Sequence, residues 1–97
     1  MKAKLVLQEK RLVEGGGRIG VAELKVWEVP RSDEYPTGRK FRLFFVVDGN
    51  VAVGLDNHKP KGPHLHLEGR EVPYPFTTLD QLVEDFWGFV RKAGFAP

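Results

Sequence analysis

A chain of 97 residues, with 41% hydrophobic and 29% charged side chains, is the size of one domain with a single core. The absence of cysteine excludes disulfide frameworks, thiolate zinc sites and thiol redox chemistry. A formal charge of +2 permits a phosphate-bearing partner without demanding one. No signal-peptide pattern is present and no run approaches the ~20 apolar residues that span a bilayer, so the expected location is cytoplasmic, away from membranes.

In chain order, residues Ala3 to Val13 alternate imperfectly and predict a first strand, ended by the flexible turn Glu14-Gly15-Gly16-Gly17. A second strand is expected from Arg18 to Val29. Its alternation changes phase near Ala22-Glu23, which suggests a bulge. Pro30 to Gly38 is a polar loop. The third strand, Lys40 to Asp48, is rich in aromatic and β-branched residues, and Asp48-Gly49-Asn50 is a hairpin signal leading into a fourth strand, Val51 to Asp56. Gly54 leaves room on one side of that strand.

A histidine-bearing connector follows and allows a short fifth strand. At the carboxy terminus, Thr78 and Gln81 form a capping-box pattern. Leu79, Leu82, Val83, Phe86, Phe89 and Val90 recur at helical spacing, and Gly94 can stop the helix. Gly88 inside the helix costs about 1 kcal/mol relative to alanine, which predicts a close packing contact there. The expected fold is therefore α+β. An antiparallel four- to five-stranded sheet is packed by a carboxy-terminal helix, in one domain over residues 1–97.

All three histidines lie between Asp56 and His66, in Asp56-Asn57-His58-Lys59-Pro60-Lys61-Gly62-Pro63-His64-Leu65-His66. Histidine exchanges protons near neutrality, with an unperturbed pKa of about 6.5. If the segment from Pro63 is extended, His64 and His66 point to one side and Leu65 and Leu67 to the other.

Three chemistries suit this cluster. Two imidazoles can act as general acid and base on a phosphodiester while Lys59 and Lys61 neutralise the phosphate. RNA fits that scheme because its 2′-hydroxyl supplies the nucleophile. Alternatively, Asp56, His58, His64 and His66 can coordinate a divalent metal, although adjacent lysines disfavour a bound cation. Thirdly, the residues can simply cap a basic phosphate-binding loop.

A lone His-x-His pair is ordinarily part of a surface strand; the added histidine, aspartate and lysines move the balance towards a site. Tyr74, between Pro73 and Pro75, could reach the same cleft, although an aromatic between prolines more often packs as a lid. Arg70 could bind phosphate, against the ordinary expectation of a salt bridge with Glu68 or Glu71. Trp27 and Trp87 are expected in the core or an interface, and Phe44 on an exposed, partner-facing sheet position.

The segments Val26-Trp27-Glu28-Val29-Pro30, Lys40 to Val46, Val53 to His66, and Tyr74-Pro75-Phe76 through Leu79 to Phe86 follow one another in a way that resembles the TumE-like family. These are small prokaryotic toxins of toxin–antitoxin pairs, and the likeness runs over nearly the whole chain. Asp56, Asn57, Lys61, Gly62, His64 and His66 fall on its motif positions, whereas His58 and Lys59 enter only through the local chemistry.

The resemblance implies a growth inhibitor held inactive by a cognate antitoxin, often DNA-binding. Combined with the histidines, the expectation is a metal-independent endoribonuclease without cofactor. Its catalytic residues would be His64, His66, Lys61 and Asp56, and its substrate-binding residues Asn57, His58, Lys59, Arg70 and Tyr74. The alternatives are a metal-dependent phosphodiesterase or nucleotidyltransferase at the same histidines, and a non-enzymatic binding module. An exposed sheet edge also allows a homodimer or a strand-added partner.

Overall fold

Alternating side chains build a single sheet in the computed structural model, which describes residues 3–58 and 62–96. Its strands are β1 (Lys4–Gly15), β2 (Arg18–Glu28), β3 (Arg39–Val47), β4 (Asn50–Asp56), β5 (His64–Leu67) and β6 (Arg70–Pro73), followed by one helix, α1 (Leu79–Lys92). The strands lie in sequence order, each antiparallel to the next. The expected α+β class is correct, but the sheet has six strands rather than four to five.

The missed element is β6. It is four residues long, exposed throughout, and ends in a proline that only an edge strand tolerates. The turn before it was also hard to read. Glu68 and Gly69 have φ of 47° and 81°, matching the paired positive φ of a two-residue hairpin turn, but glutamate is not one of the residues that advertise such a turn. Asp48 and Gly49, at φ 52° and 77°, have the same form with the more familiar residues.

One sheet face carries the core. Ala22, Leu24 and Val26 of β2, Phe41, Leu43 and Phe45 of β3, Val53 and Leu55 of β4, and Leu65 of β5 are buried together with Leu82, Phe86 and Val90 of α1. After the helix, Phe95 packs edge-on against Phe45 at 4.9 Å between ring centroids, and the Ala96 N–H donates to the Glu14 carbonyl at 3.0 Å. Thr78 caps α1 by accepting from the Gln81 N–H at 3.1 Å. The reciprocal half of the capping box is replaced, because the Gln81 side-chain amide donates forward to Asp85 at 2.7 Å.

Two local expectations are corrected. The pairing of β2 runs unbroken through Ala22 and Glu23 on both sides; the register shifts fall at Leu5/Leu7 in β1 and beside Phe45/Val46 in the β3–β4 pair. The apparent change of phase arose because Ile19, Val21 and Trp27 lie on the face away from α1, which is also partly apolar. Gly88 has no close packing contact either, since a Cβ there would meet only the Arg91 guanidinium at 3.9 Å. The tight glycines are Gly15, where a Cβ would meet the Gly94 carbonyl oxygen at 2.1 Å, and Gly20, where it would overlap the Phe45 ring at 2.4 Å.

Tyr74 ties the end of β6 to the helix: its hydroxyl donates to the Asp85 carboxylate at 2.6 Å. Burial, together with this hydrogen bond and the negative charge of Asp85, pushes its phenol above the ordinary value of 10.0. In the unfolded chain the phenol ionises near pH ~10, whereas the folded protein keeps the proton. The stabilisation is therefore whole below about pH 10 and is lost as the pH rises beyond it. Urea unfolding of the wild type should show stability falling above about pH 10, and Tyr74→Phe should flatten that decline. An unchanged slope in the variant would remove Tyr74 as its source.

Candidate functional site

The pleat of β5 separates two jobs. Leu65 is buried under the helix, while His64 and His66 emerge on the opposite, open face. Their neighbours are set by register: Asp56 opposite His64 and Gly54 opposite His66 on β4, and Glu71 opposite His66 on β6. With no side chain, Gly54 leaves the floor between Phe44 and His66 clear; a Cβ there would sit 3.4 Å from the Cβ of His66.

Four polar groups converge at this spot. His64 Nε2 is 3.0 Å from Asp56 Oδ1 and 3.9 Å from Glu71 Oε2. His66 Nε2 is 3.4 Å from Glu71 Oε2 and 3.9 Å from Asp56 Oδ2. The imidazoles meet edge to face, 4.8 Å between centroids. Their exposures differ enough to separate their positions: the His64 side chain is 8% exposed and that of His66 is 32%.

The second nitrogen of His64, Nδ1, lies 2.8 Å from the Gly62 carbonyl oxygen, which can only accept. Both ring nitrogens of His64 thus face acceptors. The hydrogen bonds are complete only when the His64–Asp56 pair shares a proton, as imidazolium with carboxylate or as imidazole with carboxylic acid. Ligand atoms of Asp56, His64 and His66 also lie within 4.8 Å of one another, close enough to share one metal ion.

The cluster sits in a cavity of about 550 Å³, lined also by Trp27, Lys40, Phe41, Arg42, Phe44, Asn57 and His58. Lys40 Nζ lies 5.5 Å over the Trp27 ring, and the Arg42 guanidinium 5.1 Å over Phe44. The expected residues divide accordingly. Asp56, His64 and His66 come together. His58 lines the cavity, exposed, and its backbone N–H donates to Asp56 Oδ1 at 3.1 Å.

Asn57 is buried and its amide is occupied by the fold: Oδ1 accepts from the Phe41 N–H at 2.9 Å and Nδ2 donates to the Arg39 carbonyl at 2.6 Å. Tyr74 faces the helix through Asp85, and Arg70 pairs with Leu67, on the face away from His66. Neither lines the cavity. Lys59 and Lys61 lie outside the described residues.

Sequence reasoning missed Glu71, Lys40 and Arg42 as site residues, and placed Trp27 in the core or an interface. The signal for the cations was present, since Lys40, Arg42 and Phe44 alternate on one face of an unmistakable strand. Glu71 could have been found only by recognising β6 and its register.

A small meander sheet with its helix on one face and a histidine–carboxylate cluster on the other defines a compact α+β protein. The model of the family described as Toxin TumE matches residues 2–93, and the chain belongs to that toxin family. It is thus a toxin component, and such a family implies an antitoxin partner. No curated protein and no solved structure matches it. Among the described residues, no helix is long and apolar enough to cross a membrane.

The hydrogen bonds of Asn57 join the end of β4 to the start of β3 and so hold the cavity floor. Asn57→Ala should leave the Phe41 N–H and Arg39 carbonyl without this partner and cost about 1–3 kcal/mol. Urea denaturation reads this directly; a midpoint equal to wild type would show that water replaces the amide without penalty.

Proposed function

We propose that this toxin is an endoribonuclease that cleaves RNA by histidine acid–base chemistry without a metal. The observation that carries the reading is the convergence of the His64 and His66 Nε2 atoms on two carboxylates in a cation-rimmed cavity. In this scheme the 2′-hydroxyl attacks the adjacent phosphorus as His66, the more exposed imidazole, takes its proton. The bond from phosphorus to the 5′-oxygen breaks, and the leaving oxygen receives the proton shared by His64 and Asp56. The products are a 2′,3′-cyclic phosphate and a free 5′-hydroxyl.

Arg42 and Lys40 offset the charge that develops on the phosphate oxygens, and Lys61 and Lys59, outside the described residues, keep the phosphate-neutralising role expected of them from the sequence. Glu71 orients His66. The antitoxin would then act by keeping RNA from the open face.

Positioned acid–base groups contribute about 10²–10⁴-fold, so His66→Ala should reduce cleavage by that order. The test is RNA cleavage by purified wild type and by His64→Ala/His66→Ala, with and without chelator, alongside growth inhibition in cells. Chelator-resistant cleavage that disappears in a folded variant supports the reading. Absence of cleavage by wild type, or growth inhibition undiminished in the variant, would instead favour a binding module.

A second reading is supported by the ligand geometry. Asp56, His64 and His66 can present three atoms to one divalent ion, with Glu71 beside both Nε2 atoms. The bond from His64 Nδ1 to the Gly62 carbonyl also resembles the outer support that metal-ligating histidines usually have. His64 Nε2 would release its proton to the solvent on binding. Calorimetric titration with Zn²⁺ or Mn²⁺ should then give one site per chain that is lost in His64→Ala/His66→Ala, and chelation should abolish a cleavage that the ion restores. No binding in wild type removes this reading.

A further inference from the structure

The open face does not end at the histidines. A second groove, about 600 Å³, continues from the cavity across β3 and β2 to β1 and shares Trp27, Arg42 and Phe44 with it. The register aligns His64, Asp56, Arg42 and Lys25 in one row across four strands, with Lys10 in the neighbouring row opposite Glu23. At the spacing of neighbouring strands, Lys25 lies three steps from His64, roughly 14 Å.

Among the described residues, the cations of the sheet divide into paired and unpaired, and of the unpaired ones Lys4 and Arg70 lie off the groove. Arg11, Arg18 and Arg39, elsewhere on the sheet, each pair with a carboxylate. Lys10, Lys25, Lys40 and Arg42 have no carboxylate partner among the described residues; Lys40 and Arg42 rest on aromatic rings instead. Glu23 is the one carboxylate that lines the second groove, against Lys10, Lys25 and Arg42. Unneutralised cations interleaved with half-buried aromatic rings match a phosphate backbone whose bases are free to stack.

We infer that this face is a track for single-stranded RNA, running from the histidine site across β3 and β2 towards β1, with phosphates on Arg42, Lys25 and Lys10 and unpaired bases on Phe44 and Trp27. The inference rests on the ribonuclease reading for its direction and deepens it by naming the form of the substrate. A duplex is a poor occupant because its bases are already stacked on one another and present no face to Phe44 or Trp27. A single strand meets both requirements at once.

The experiment is fluorescence anisotropy with a 2′-O-methyl oligoribonucleotide, which cannot be cleaved through its 2′-position, as a single strand and as a duplex of the same sequence. Wild type should bind the single strand more tightly. Lys10→Glu/Lys25→Glu should weaken that binding at least tenfold and lower the slope of log K against log salt by about 1.4, since each lost single-strand phosphate contact removes about 0.7.

Trp27→Ala should weaken binding about 5- to 150-fold while leaving the salt slope unchanged. Circular dichroism establishes folding of each variant, and the surface lysine pair decides the matter if Trp27→Ala does not fold. Equal binding of duplex and single strand, no binding by wild type, or lysine variants with wild-type affinity and slope would overturn the track. Because binding is measured without cleavage, intact binding with no cleavage of natural RNA would overturn the ribonuclease reading and leave the track standing.

Discussion

The site depends on a sheet covered by a helix on one face only, because that asymmetry turns the pleat of β5 into a sorting device. Leu65 is held under α1 by the same burial that anchors Leu82 and Phe86, so His64 and His66 have no choice but the other face. A slip of one residue would bury the imidazoles and expose the leucine. Register across β4, β5 and β6 then determines which carboxylates they meet. The chemistry is thus set by hydrophobic burial on the far side of the sheet, with no dedicated scaffold for the histidines.

Charge is distributed on the open face with similar economy. At the β4–β6 end, two imidazoles and two carboxylates hold one another, and His64 is nearly closed to solvent with both nitrogens engaged. Towards β3 and β2 the balance turns to cations, held over Trp27 and Phe44 or without a carboxylate partner among the described residues. An anionic chain drawn along the cations would arrive where the buried His64 imidazole meets the Asp56 carboxylate. Any antitoxin segment that covers this face would block both the approach and the site.

Asn57 illustrates how a motif residue can serve the fold. It sits beside Asp56 in the stretch that resembles the toxin family, yet both ends of its amide are consumed by the backbone of β3. Tyr74 is similar: its polar end is spent on Asp85 of α1, locking the last strand to the helix. Both shape the cavity or its surroundings from behind.

The strong strands β3 and β4, the hairpin at Asp48-Gly49, the Thr78 cap and the apolar stripe of α1 were legible because each is written in contiguous residues with a fixed period or a local turn rule. So was the shared side of His64 and His66, which needs only an extended backbone. The length of the sheet was less legible, since β6 is short, exposed and introduced by a glutamate with positive φ.

By itself, then, the sequence determined the local elements, the buried stripe and the clustering of the histidines. The tertiary structure alone decided that Glu71 joins them, that Arg42 and Lys25 extend their row, and that Asn57 and Tyr74 are turned to structural bonds. Those facts depend on the register between strands and on which face the helix covers, and neither is encoded within any single segment of chain.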